Sequence, residues 1–511
     1  MYSKIFSSSV SGIDAFTVEI EVNLDNQMPG MVIVGLPDGA VRESKERVNA
    51  AISNSGFANP LKKITVNLAP ADVRKEGSAF DLPIAVGVLA STGILEYQFL
   101  EKTLILGELS LEGTLRPIHG VLPIAVHAAK SGFERIILPQ QNAQEASLTG
   151  ELEVIPVETL ADTVAYLNGD KSIDPVRVDI DDIFKTNAEN ILYDLKDVKG
   201  QESAKRALEV SASGGHNILM IGPPGSGKTM LAKRIAPILP SLSLEESLET
   251  TKIHSISGML PDGKPLITER PFRSPHHTIS DAALVGGGMA KIRPGEISLA
   301  HHGVLFMDEL PEFARNVLEV LRQPLEDKQI TISRTRQKVD FPANFMLVCS
   351  MNPTPDGEML EDTKCTPQQV QRYLGKISGP LLDRIDIHIE VPKVNYDELA
   401  SKREGEKSSL IKERVAKTRQ IQLDRFKGEK SIFKNADMST SMIRKYCPID
   451  GASQSLLKTA MERLGLSARA YDRILKVSRT IADMAGKENI DVVCISEAIQ
   501  YRSLDKAYWR M

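Results

Sequence analysis

The string NILMIGPPGSGKTMLAKRI, residues 217–235, constrains this chain more than any other. An apolar, strand-like run enters a glycine-rich turn that opens a helical pattern, and the turn satisfies G-x-x-x-x-G-K-[ST]. Across Gly222, Pro223, Pro224, Gly225, Ser226 and Gly227 the backbone N–H groups can ring a phosphate, with added positive potential from the helix N-terminus. Lys228 is placed to reach the β- and γ-phosphates of ATP, and Thr229 to ligate Mg2+. Such a loop needs a buried strand before it and a helix after it. An α/β core with a parallel sheet is therefore expected around it.

Two further strings fit that core. GVLFMDE (303–309) reads as a buried strand delivering Asp308 and Glu309 at its C-terminal end, where open α/β sheets bind ligands. Asp308 would hold Mg2+, and Glu309 would polarise an attacking water. LVCSMNP (347–353) ends another strand on Asn352, able to orient water near a γ-phosphate. The residues alone equally allow Asn352 to cap a turn before Pro353.

Bulk properties restrict the rest. A net charge of −5 excludes nucleic-acid binding by overall attraction, so any such surface must be a local cluster of Lys and Arg. The 4 cysteines, Cys349, Cys365, Cys447 and Cys494, form no disulfide framework or paired metal-ligand spacing. With no secretory signal and no apolar run long enough to span a bilayer, the expectation is a cytoplasmic protein without membrane attachment.

Along the chain, residues 1–168 mix β-rich runs with amphipathic helical stretches, an α+β domain. Residues 169–190 are polar and acidic and read as a linker. Residues 191–393 alternate short apolar strands with helices, and 394–511 are helical.

The trio of P-loop, FMDE and SMNP resembles an AAA+ ATPase. The longer strings RPFRSPHHT, IRPGEISLAHHGVLFMDELPEF, LEVLRQPLED and SGPLLDRIDIHIEVP resemble the Mg-chelatase-like AAA+ ATPases of the YifB/ComM family, as do VGLPDGAVRESKERVNAAISNSGF and KEGSAFDLPIA near the N-terminus. The resemblance covers essentially the whole chain. It implies ATP and Mg2+ as cofactors, a helical C-terminal lid, and a homo-oligomeric, hexameric ring. It makes Arg384, in LLDR, an arginine finger reaching a neighbouring subunit's γ-phosphate, whereas the residues alone also allow an ion pair with Asp383 or Asp386. Arg469 resembles a lid arginine that senses nucleotide, with Arg473 as a rival.

Two departures from the family pattern matter. After Asn352 the cysteine-rich flank common in the family is reduced to Cys365, so no zinc is expected. The histidine pairs 276/277 and 301/302 are expected to diverge, as adjacent side chains do, and to serve in packing or phosphate contacts. The N-terminal block resembles a Lon-type protease domain, but Ala79 stands at its nucleophile position and Leu122 and Ile124 where its lysine is expected. Ser78 is one residue off. A protease fold without peptidase activity is implied.

Between Glu326 and Asn352 runs QITISRTRQKVDFPANFMLVCSM, two strand-like runs around a basic turn. In related AAA+ motors a hairpin at this place points into the ring's pore. That position implies a contact of Arg334, Arg336 and Lys338 with DNA, single-stranded or branched; without it they read as solvated turn residues. The resulting expectation is a DNA motor of helicase or branch-migration type in recombination or natural transformation. A magnesium-chelatase-like motor subunit or a general protein remodeller is the alternative.

Overall fold

The computed structural model describes residues 2–95, 100–186, 193–261, 263–288, 292–334, 337–400, 404–429 and 432–509. Its N-terminal part is a mixed sheet built from β1 (Tyr2–Ser11), β2 (Asp14–Asp25), β3 (Gly30–Val34), β4 (Lys63–Ala69), β5 (Thr103–Ile105), β8 (Arg135–Pro139) and β9 (Glu153–Val157), in the order β3-β4-β2-β1-β5-β8-β9. A small hairpin, β6 (Glu108–Leu109) with β7 (Leu115–Arg116), stands beside it. Strand β2 shows why one face is covered: Val18, Ile20, Val22 and Leu24 are buried while Glu19, Glu21 and Asn23 alternate with them. The cover is Gly39–Asn54 together with Asp81–Ser91, a helix buried along its whole length. Gly87 permits that close approach, because a Cβ there would stand 2.8 Å from Val22 Cγ2.

The second sheet is wholly parallel: β10 (Ile218–Ile221), β11 (Phe272–Arg273), β14 (Val304–Met307), β17 (Met346–Met351) and β18 (Ile387–Glu390), in the order β11-β14-β17-β10-β18. Between β11 and β14 lies a short pair, β12 (Gly286–Gly287) with β13 (Arg293–Pro294). Every residue of β10, β14 and β17 is buried, as expected of a sheet covered on both faces. The register aligns Ile221 with Met351 and Met307 with Cys349, so Gly222, Asp308 and Asn352 emerge together at one sheet edge.

The C-terminal helices, chiefly Ser408–Arg425, Gly451–Leu464 and Ala468–Met484, share a core with this sheet. Ile411, Val415, Ile474 and Ile481 belong to the same apolar cluster as Ile218, Val304 and Ile387. A buried bond joins them too, His216 Nε2 lying 2.8 Å from Thr480 Oγ1. No described helix is long and apolar enough to cross a membrane.

The basic segment folds as a hairpin, β15 (Gln329–Arg334) with β16 (Gln337–Pro342), paired from Gln329↔Pro342 to Arg334↔Gln337. Ile330, Val339 and Phe341 are buried and Lys338 is exposed. A Cβ on Gly12 would come within 2.9 Å of Val339 Cγ1, and one on Gly286 within 3.1 Å of Ile332 Cδ1. The β1–β2 turn and the β12 strand thus hold the hairpin from two sides. Arg336 lies outside the described residues, and Arg334 is placed by its backbone alone.

Candidate nucleotide site

The phosphate loop begins where β10 ends. Gly222 packs so tightly on the residue that follows β18 that a Cβ would meet Val391 O at 2.1 Å, and Gly227 has φ 88°, open to glycine at no steric cost. Lys228, the first residue of the helix Lys228–Lys233, turns its ammonium back into the loop. It donates to Gly222 O at 2.6 Å, to Pro223 O at 3.0 Å and to Asn352 Oδ1 at 3.2 Å. Burial pushes that ammonium below its ordinary pKa, and the carboxylates of Asp308 and Glu309 oppose the shift.

Thr229 Oγ1 donates to Asp308 Oδ2 at 2.7 Å, a hydroxyl and a carboxylate side by side. Ser350, buried on β17, donates its hydroxyl to Asp308 Oδ1, and the Glu309 N–H reaches the same oxygen at 3.1 Å. Glu309 sits at φ 56°, in the left-handed region, so the chain turns sharply just past Asp308. Its side chain is 54 % exposed, and His277 Nδ1 lies 3.7 Å from Oε2.

ATP and Mg2+ fit this donor set. Hard oxygen ligands from Thr229 and Asp308 suit magnesium. Among the described residues the buried Ser226 hydroxyl in the loop lacks a hydrogen-bond partner.

The arginines divide. Arg384, just before β18, donates Nη1 to Pro380 O at 2.7 Å and pairs through Nη2 with Glu326, while its Nε is buried without a partner. The Arg384 bond holds the exposed Glu326 carboxyl below its usual range. Asp383 and Asp386, the partners that the sequence allows, are taken by others. Arg469 stands 3.5 Å from Asp383 with its own side chain 64 % exposed, and Arg473 lies 2.9 Å from the buried Asp386. Burial alone would raise the Asp386 carboxyl; Arg473 and His216 hold it down instead.

The expectation that adjacent histidines diverge is wrong for both pairs. Ring centroids are 4.1 Å apart for His276–His277 and 3.9 Å for His301–His302. For the second pair the reason is φ 55° at His302, which swings its ring to the side of His301. Both rings then reach Glu249, at 3.3 and 2.9 Å, and the three offer donor atoms within 4.8 Å of one another. Metal binding is nevertheless a poor fit. His301 Nδ1 accepts the Asn344 N–H at 3.0 Å, so the ring proton sits on Nε2, the atom a metal would need.

Sequence reasoning missed Ser350 and His277, both of which touch the Asp308–Glu309 pair. His277 was noticed only as half of a doublet. Its position just beyond β11, a strand adjacent to β14, is what brings it there, and β11 is only two residues long, too short to show a period in the sequence.

A parallel sheet that brings a phosphate loop, an Asp–Glu pair and a polar Asn to one edge, with helices packed beside it, defines a P-loop nucleoside-triphosphate module of AAA+ type. Residues 194–399 match the family model described as magnesium chelatase, subunit ChlI; residues 20–142 match subunit ChlI of Mg-chelatase, and 405–502 its C-terminal model. The chain is 45% identical over 507 residues to the competence protein ComM of Haemophilus influenzae, spanning 98% of this chain and 97% of that one. To the YifB protein of Escherichia coli it is 43% identical over 509 residues, 99% and 97% of the two chains. To the magnesium-chelatase 38 kDa subunit of Rhodobacter capsulatus it is 25% identical over 194 residues, 34% of this chain and 53% of that subunit. The chain belongs to the Mg-chelatase-like AAA+ family of ComM and YifB proteins, and that membership implies an ATPase.

Proposed function

We propose that this chain is the subunit of an ATP-driven homo-oligomeric ring, hexameric as the family resemblance implies, that acts on DNA as a helicase or branch-migration motor. One observation carries the reading. The basic hairpin β15–β16 is joined by residues 343–345 to β17, whose end places Asn352 beside Lys228. A change at the γ-phosphate thus has a short, stiff route to cationic residues that suit a phosphate backbone. The near-full-length similarity to a competence protein supports the choice of DNA.

In this scheme the loop from Gly222 to Thr229 holds the phosphates, and Thr229 and Asp308 hold Mg2+, which would neutralise charge on the β- and γ-oxygens. Ser350 orients Asp308. Glu309 takes the proton of the attacking water, Asn352 aligns that water, and Arg384 serves the next subunit's site. Arg469 is the better candidate than Arg473 for sensing nucleotide, because Arg473 is tied to a buried carboxylate.

His277 restrains Glu309. A polar contact between partly exposed groups is worth under about 1 kcal/mol, a factor of up to about five in rate. His277→Ala is accordingly expected to raise ATP turnover in the absence of DNA by about two- to fivefold, with KM for ATP unchanged. Steady-state kinetics check this, and a lowered kcat would contradict it.

Single-stranded or branched DNA is expected to stimulate ATP turnover. The triple variant Arg334→Ala, Arg336→Ala, Lys338→Ala should lose most of that stimulation and keep basal hydrolysis. Equal turnover with and without a panel of linear and branched DNAs would sink the reading. The rival reading, a chelatase-like motor, draws support from the match of residues 20–142 to a chelatase subunit model, and it predicts that equality.

A further inference from the structure

A cleft of about 640 Å³ lies away from the phosphate loop, between the helix Lys228–Lys233, residues 259–261 and 264–273, and the start of Ser408–Arg425. Lys233, which lines it, is the last residue of the helix that Lys228 opens, about 8 Å further along at 1.5 Å per residue. The volume falls in the range of small-ligand sites.

The charges on its walls are uneven. Arg270 is spent on Glu246 and on the carbonyls of Pro240 and His302, and Arg273 on a bidentate pair with Glu296. Lys233, Lys264 and Lys412 also face the cleft, and none has a carboxylate within ion-pair distance among the described residues. Against these three, among the described residues, stands only Glu269 as an unspent carboxylate on the walls. Lys412 is half-buried; burial first, and then Arg270, push its ammonium below the ordinary range, while Glu269 opposes. An anion entering the cleft would relieve that. Beside the cations stands Tyr193, 40% exposed, with Lys233 and Arg234 each 5.8 Å from its ring centroid, while Phe184 packs against the cluster of Leu122, Leu148 and Leu266. Cationic groups next to a part-exposed aromatic ring are the combination that binds a phosphate and its stacked base.

We propose that this cleft is a second nucleotide-binding site, separate from the phosphate loop, taking a base with its phosphate from a single-stranded nucleic acid. Lys264 and Lys412 pair with phosphate and Tyr193 stacks on the base. The strand source rests on the DNA reading above; a free nucleotide offers the same chemistry.

The test uses the full chain with Lys264→Glu plus Lys412→Glu, with Lys412→Met and Tyr193→Ala as milder variants. Anisotropy of a fluorescent oligothymidylate is expected to show binding weakened about tenfold in the double variant. Two lost phosphate contacts should also lower the slope of log K against log salt by about 1.4. Basal ATP hydrolysis is expected to stay within about twofold of wild type, since neither lysine touches the phosphate loop. In the second arm, equilibrium dialysis of ADP counts sites per chain. Unchanged oligonucleotide binding with loss of a second ADP equivalent would assign the cleft to free nucleotide. Unchanged binding in both arms overturns the proposal. If wild type binds no oligonucleotide, the DNA reading fails and the ADP count alone decides the cleft.

Discussion

Replacing Arg384 by alanine is expected to reduce ATP turnover by about 10³-fold, and to make the altered subunit suppress wild-type partners in mixed assemblies. The side chain cannot serve its own chain's loop while it holds Pro380 O and Glu326. It is nonetheless poised to leave. Glu326 is 64 % exposed, and such a pair contributes under about 1 kcal/mol after screening, far less than an added cation gives at a transferring phosphoryl group. Arg384 Nε, buried without a partner, adds a small drive to find another acceptor. Glu326→Ala is the companion variant, expected to keep turnover near wild type. The measurement is phosphate release across a titration of Arg384→Ala into wild-type protein. Suppression steeper than the wild-type fraction supports a finger acting between subunits; simple proportionality would show that Arg384 acts within its own chain or not at all.

The parts of the site readable from the sequence are those held together by local spacing. The distance from Gly222 to Thr229 is set by what a loop must do around phosphate, so it appears as a contiguous string. Asp308 and Asn352 follow because a short buried strand presents its last residue at a sheet edge. The hairpin could be read as well, since the sequences of β15 and β16 alternate apolar and polar residues. Partners that meet only through the fold could not. Arg384 and Glu326 are 58 positions apart, and nothing in the sequence singles out Glu326 over the adjacent Asp383. Strand β11 defeats periodicity because two residues carry no period. Strand β1 is hidden too, because its serines at 7–9 interrupt any apolar alternation although Ser7 and Ser8 are buried in the sheet. The resemblance of the N-terminal part to a Lon-type protease domain rests on sequence strings alone.

Glu309→Gln should lower turnover by about 10²–10⁴-fold and leave ATP affinity nearly unchanged. The two halves of that expectation come from different contacts. In the proposed scheme binding rests on Lys228, Thr229 and Asp308, whose hydrogen bonds involve no Glu309 side-chain atom. The Glu309 backbone stays too, because its N–H bond to Asp308 and its left-handed turn are indifferent to an amide at the tip. What the amide removes is the ability to accept a proton from water, and the charge that His277 faces. Loss of His277 restraint cannot rescue the variant, so Glu309→Gln combined with His277→Ala is expected to be as slow as Glu309→Gln alone. Fluorescent-ATP binding with phosphate release in the same preparation separates the outcomes. Turnover within tenfold of wild type would remove Glu309 as the base and leave the water to another group; a matching loss of ATP affinity would instead make it part of the binding site.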